Sequence, residues 1–171
     1  ASGIVGKSGR VISFEPHPGN IGRFKKNLSL NQVNNLTLVE MGVMDISGEL
    51  QLVVERNDNL GMCYIDNKSL KGLSNSVTVE VTTLDEYLIP IGGSIDFIKI
   101  DVEGNEMNVI KGGLNVIKRL EPILIIEIVD SQLRKCGSSP FEIIHLLQSI
   151  DYKVTNPSNK EIISTDYKFT E

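Results

Sequence analysis

Apolar and polar positions follow two periods along this chain. Val11 to Glu15, in VISFE, is a short β-rich run that predicts a strand. In GNIGRFKKNLSLN, Ile21, Phe24 and Leu28 recur at i, i+3 and i+7, with Arg23, Lys25 and Lys26 between them. That spacing predicts an amphipathic helix. Asn34-Asn35 reads as a turn into a strand over LTLVEM, and Met44 to Gly48 as a bend. Glu49 to Glu55 alternates apolar and polar, as does Val77 to Val81, so both predict half-buried strands. Between them, residues 56–75 are polar and irregular, read equally well as a surface loop or as a functional loop.

The second half repeats the alternation. Thr83 to Tyr87 starts a short helix that Gly92-Gly93 breaks. Asp96 to Asp101 predicts a strand. Glu103 to Leu120 predicts a helix with Met107, Ile110, Leu114 and Ile117 on one face, bent or divided at Gly112-Gly113. Pro122 to Val129 is nearly continuous in apolar residues, the pattern of a strand buried on both faces. Ser139-Pro140-Phe141-Glu142 is a capping box with Pro at the first helical position. It opens a helix carrying Ile143, Ile144, Leu147 and Ile150. Tyr152 to Thr155 and roughly Ile162 to Phe169 predict two last strands around Pro157-Ser158-Asn159.

Strands alternating with helices predict an α/β fold: a mostly parallel sheet, helices on both faces, and an antiparallel C-terminal edge. At 171 residues the expectation is a single domain over 1–171. An apolar content of 40% and a charged content of 23% are those of an ordinary globular protein. A net charge of −5 gives no broad basic surface, so no nucleic-acid partner is expected. No apolar run reaches membrane-spanning length, and no leader pattern opens the chain, so a cytoplasmic location without membrane association is expected.

The opening ASGIVGKSGR contains GKS, the end of a P-loop pattern. That pattern requires Gly with four residues between it and GK, which is position 1, and position 1 is Ala1. A strand, not a helix, is predicted next, so the segment reads as a turn. Cys63 and Cys136 form no CxxC pair, and His17 and His145 complete no zinc pattern. The cysteines read as reduced thiols, and no metal site is expected.

In parallel α/β sheets, ligands bind at the carboxyl ends of strands, which turns attention to acids placed there. Glu15 ends the first strand. It suits either the two hydroxyls of a ribose or the dipole of the next helix. No GxGxxG precedes it, which weakens an NAD reading. Asp101 and Glu103, in IDVEGNE, lie at a strand end and the start of a helix. They suit N-capping. With Glu106 they are more acids than capping needs, and such a group would orient or deprotonate a hydroxyl or attract a cation. Glu127 ends ILIIE, at the border of a pocket or in a salt bridge.

GRVISFEPHPGNIGRFKKNLSLN, NLTLVEMGVMDISGELQL, TLDEYL, DFIKIDVEGNEMNVIKGG and ILIIEI occur in this order. The series resembles FkbM-type methyltransferases over roughly positions 9 to 155. The resemblance implies a class I Rossmann-like fold and an S-adenosylmethionine-dependent O-methyltransferase acting on a small-molecule or glycan hydroxyl. It implies that Glu15 and Pro16 hold the ribose, that the turn at Met41-Gly42-Val43 with Asp45 borders the adenine, and that Asp101 lies beside the methionine end. Asp101 and Glu103 become the candidate catalytic acids.

The family also opens with a strand and a glycine-rich D-x-G-A-N-x-G loop, which this sequence does not show. The expectation is an N-terminally incomplete domain. The absent strand belongs between those ending in Glu15 and Asp101, and each unpaired buried N–H or C=O costs about 1–3 kcal/mol. Several exceed a typical domain stability of about 5–15 kcal/mol. The sheet closes up, or a second chain donates a strand in a homo-oligomer, or the residues are a fragment. A non-catalytic remnant with weakened cofactor binding is the alternative functional reading.

Overall fold

The computed structural model describes residues 1–54, 63–66, 76–158 and 160–163. The chain forms two compact units, Ala1–Thr83 and Leu84–Glu171.

The first unit opens on a turn in which the Val5 amide donates to the Ala1 carbonyl at 3.1 Å. The Asn35 side chain ties this turn down through the carbonyls of Ser2 and Gly6. Strand β1 (Val11–Phe14) follows, so GKS precedes a strand and not a helix. Helix α1 (Pro18–Leu30) connects β1 to β2 (Leu36–Val39), which pairs with β1 in parallel, Val11 opposite Leu36. His17 caps α1, its Nδ1 accepting from the Gly19 amide at 3.0 Å, and Pro18 sits where a missing N–H does no harm. Ile21 is buried and Phe24 and Leu28 half-buried, as their spacing predicts.

Residues expected to turn at Met41-Gly42-Val43 instead form a two-residue strand, β3 (Gly42–Val43), parallel to β6 (Ser76–Thr82). Strand β4 (Gly48–Val54) lies antiparallel to β6 on one side and to β5 (Cys63–Asp66) on the other. The order is β3-β6-β4-β5. Met44, just after β3, packs into a core with Leu52, Ile65, Val79 and Val81 from the inward faces of β4, β5 and β6. Strand β5 falls inside the stretch expected to be irregular; the rest of the predicted 56–75 loop lies outside the described residues.

The second unit begins with α2 (Leu84–Ile91), followed by β7 (Phe97–Ile100). The helix expected from Glu103 starts later. Glu103 and Gly104 have φ of 54° and 106°, which a right-handed helix does not accept. It is also divided as GG predicts, into α3 (Glu106–Gly112) and α4 (Leu114–Leu120). A Cβ on Gly113 would lie 2.9 Å from Leu84 Cδ1, so α2 packs directly on this break. Strand β8 (Ile123–Ile126) pairs with β7 in parallel. Helix α5 (Asp130–Lys135), which no periodicity announced, and α6 (Pro140–Ser149) follow. Ser139 caps α6 as its box predicts: the Glu142 amide donates to Ser139 Oγ at 3.3 Å, while the Glu142 side chain meets the Ser139 hydroxyl, which donates to Glu142 Oε2 at 3.0 Å. Of the last two expected strands, one antiparallel bridge between Thr155 and Ile162 is seen; residues 164–169 lie outside the described set.

The fold is α/β, with two corrections to the expected sheet. Among the described residues the strands form three sheets of two, four and two strands, and antiparallel pairing lies mid-chain at β4, β5 and β6 as well as in the C-terminal Thr155–Ile162 bridge. Strand β8 is not buried on both faces: Ile123 is 68% and Ile125 47% exposed. Apolar continuity announces burial only where a second layer covers the outer face. Here Phe97, Ile123 and Ile125 share a face that is open to solvent.

Candidate functional site

The expected site residues fall into two groups, one in each unit.

In the first unit, Glu15 leaves β1 half-buried. Its Oε1 accepts the His17 amide at 2.9 Å and its Oε2 the Asn20 side-chain amide at 3.3 Å. The carboxylate therefore serves the start of α1, while each oxygen keeps a further lone pair for a ligand hydroxyl. A Cβ built on Gly42 would come 3.6 Å from Pro16 Cβ, so the Glu15-Pro16 corner and β3 adjoin. The same Cβ would come 2.5 Å from Ile65 Cδ1 and 3.1 Å from Val81 Cγ1. Close packing inside the sheet is thus sufficient reason for glycine at position 42. The Val43 side chain is buried, which leaves only its backbone to meet a ligand, whereas Asp45 is exposed.

In the second unit, the parallel register sets Lys99 opposite Ile125 and Ile100 opposite Ile126. Carried one step on, it brings Asp101 beside Glu127, and the Glu127 amide donates to the Ile100 carbonyl at 2.9 Å. Lys99 Nζ lies 2.6 Å from Asp101 Oδ2. That hydrogen bond, against some desolvation, holds the Asp101 carboxyl below the usual range, with help from a hydrogen bond to Glu127. Glu127 moves the other way. Its hydrogen bond to Asp101 pushes its pKa up, followed by desolvation and the charges of Asp101, Glu103 and Glu106.

The loop that follows is folded around its acids. Glu103, in the left-handed region, accepts from the Gln132 side chain of α5. Gly104 has no alternative, because a Cβ there would sit 2.5 Å from the Gln132 carbonyl oxygen. Glu106 is 2% exposed; its Oε1 accepts the amides of Val102 at 3.2 Å and Gly104 at 3.1 Å. Its Oε2 is buried without a partner. The capping expected of Asp101 and Glu103 is absent: Asn105 takes the N-cap position of α3, and makes no side-chain cap bond. Sequence reasoning singled out Asp101 and Glu103 but passed over Lys99 and Gln132, and left Glu127 between two roles. The equal position of Asp101 and Glu127 at the ends of neighbouring strands was the available signal. Among the described residues, no three His, Cys, Asp or Glu side chains are placed to hold a metal ion, and no helix is long and apolar enough to cross a membrane.

Comparison with known proteins bears on the family and the fold. A protein from Beauveria bassiana described as "Methyltransferase 1" is 24% identical over 139 residues, 71% of this chain and 56% of its own. The crystal structure of methyltransferase FkbM from Methylobacillus flagellatus superposes with a TM-score of 0.53 at 19% identity. It covers 82% of this chain and 29% of the other, so it speaks for the fold. The chain therefore spans about half the length of the curated relative. The family described as the methyltransferase FkbM domain matches residues 2–154, and this chain belongs to it.

Proposed function

We propose that the chain is the core of an S-adenosylmethionine-dependent O-methyltransferase acting on a hydroxyl of a small molecule or glycan, with its strands part of a class I Rossmann-like sheet. The observation that carries the reading is the position of the acids. Glu15 follows the carboxyl end of β1, and Asp101 and Glu127 follow those of β7 and β8, where open parallel sheets take ligands.

Glu15 fits a nucleoside, since both of its oxygens keep acceptor capacity after their bonds to His17 and Asn20. In this reading Glu15 binds the ribose hydroxyls, Pro16 and the backbone of Gly42 and Val43 border the base, and Asp45 lies at its edge. Held there, the cofactor would supply an electrophilic methyl group, with the electron pair of the carbon–sulfur bond left on its sulfur. Asp101, anionic through Lys99, and Glu103, fixed by Gln132, orient the acceptor hydroxyl. Much of the rate in such a transfer comes from positioning.

Calorimetric titration with S-adenosylhomocysteine tests the reading. Micromolar binding is expected, weakened at least about 100-fold in Glu15→Ala by loss of two charge-assisted hydrogen bonds. No binding by the intact protein overturns it in favour of a non-catalytic remnant.

A further inference from the structure

Four carboxylates gather after β7 and β8, and three of them already have donors. Asp101 holds the Lys99 ammonium, Glu103 holds the Gln132 amide, and Glu106 Oε1 holds two backbone amides. Glu127 differs. Among the described residues no cation and no N–H group hydrogen-bonds its carboxyl; the β7–β8 register sets it beside Asp101, which pushes its pKa up. It is also exposed, and so within reach of a ligand.

We propose that Glu127 is the catalytic base, taking the proton of the acceptor hydroxyl, while Asp101 acts through it as a positioning residue. This rests on the methyl-transfer reading above. Two carboxyls that hydrogen-bond each other need one proton between them, so the pair binds a proton where isolated carboxylates are bare. Lys99 keeps Asp101 anionic, which leaves that proton to Glu127; the opposite displacements of the two groups agree. The acids that act on Glu127 are Asp101 at the end of β7, Glu103 from the loop and Glu106 from α3, and each makes it more basic; the charge of Lys99 acts in the opposite sense. Among the described residues Lys99 is the cation that acts on the pair, and it is bonded to Asp101. A base of raised pKa is the better proton acceptor. As the hydroxyl oxygen bonds to the transferred carbon, its proton passes to a Glu127 oxygen, and the carboxylate becomes a neutral acid. Below the pair's upper titration step Glu127 already holds a proton, and transfer stops.

Carbon-13 titration of the side-chain carboxyls in the intact protein gives a readout free of turnover. Glu127 is expected to titrate at higher pH than the other resolved glutamates, and its midpoint to fall by about one pH unit in Asp101→Asn. A midpoint in the ordinary range, or one that Asp101→Asn leaves in place, overturns the proposal. With S-adenosylmethionine and an acceptor, Glu127→Gln is expected to lower kcat about 100-fold and erase the acid limb of the pH profile, with the cofactor KM unchanged. Glu127→Asp is expected to keep the limb, and Asp101→Asn to shift it to lower pH. If Glu127→Gln keeps the wild-type pH profile while S-adenosylhomocysteine still binds, the base assignment falls alone. Absence of cofactor binding removes the methyl-transfer reading and with it the role of base, whatever the titration shows.

Discussion

The Val116 amide at the start of α4 donates a 2.8 Å hydrogen bond to Oδ1 of Asp85, thirty-one residues earlier in α2. Oδ2 of the same carboxylate accepts the Asn115 amide at 3.2 Å and the Asn115 side chain at 2.9 Å. One helix thus caps another. Asp85→Ala is expected to cost about 0.5–2 kcal/mol, the usual range for a lost cap. Asp85→Asn, which keeps an acceptor, is expected to cost less. Chemical denaturation midpoints of the two variants check the order.

Gly104→Ala is expected to be far harsher than its size implies. The residue has φ of 106°, and its new Cβ would press on the Gln132 carbonyl, which is backbone and cannot rotate away. A conformation of this kind costs roughly 1–3 kcal/mol before any clash. The denaturation midpoint is expected to fall, and the Gly104 amide to exchange faster with solvent as its bond to Glu106 loosens.

Glu106 closes its own loop through two charge-assisted hydrogen bonds of about 1.5–3 kcal/mol each. Glu106→Ala is expected to destabilise by less than their sum, because it also removes a buried oxygen that has no partner. Glu106→Gln keeps an acceptor for both amides and is expected to lie between Glu106→Ala and the parent protein. A thermal melt of the three proteins reads this order.

The Asp101–Glu127 pair gives stability an unusual pH signature. Asp101 lies below its reference pKa of 3.8, so its contribution is present above that value and is lost as pH falls through the folded pKa. Glu127 lies above its reference of 4.5, so its ionisation works against folding as pH rises from 4.5 through the folded pKa. Glu127→Gln is therefore expected to be more stable than the parent protein at neutral pH, with the gain vanishing below about pH 4.5. A neutral-pH loss on that substitution would contradict this balance.

Elements with a period and a cap were legible in the sequence. The face of α1 showed in Ile21, Phe24 and Leu28, and α6 showed in its Ser139 box. What failed has a common cause. Strand β3 is two residues long, and no period fits in two residues. Glu103 looked helical because propensity does not report a φ imposed by Gly104 against Gln132. The exposure of Ile123 and Ile125 depends on which layers cover β8, and alternation along one strand carries no information on its neighbours. At the site, Glu15 and Asp101 stood out by their place after a strand. Glu127 needed the register between β7 and β8 to be known first.

That register has a further consequence. The β8 amides of Ile123 and Glu127 bond the Asp96 and Ile100 carbonyls, so the alternation of a parallel ladder turns the backbone groups of Phe97 and Lys99 to the opposite edge of β7. Among the described residues no strand pairs with that edge, and such an edge beside the exposed face of Phe97, Ile123 and Ile125 is a template for adding strands from other molecules. Lys99 is the charge that interrupts it. The ammonium that holds Asp101 anionic is then also a gatekeeper against fibrillar self-association, and Lys99→Met would register in light scattering at high protein concentration as well as in any titration of the acids.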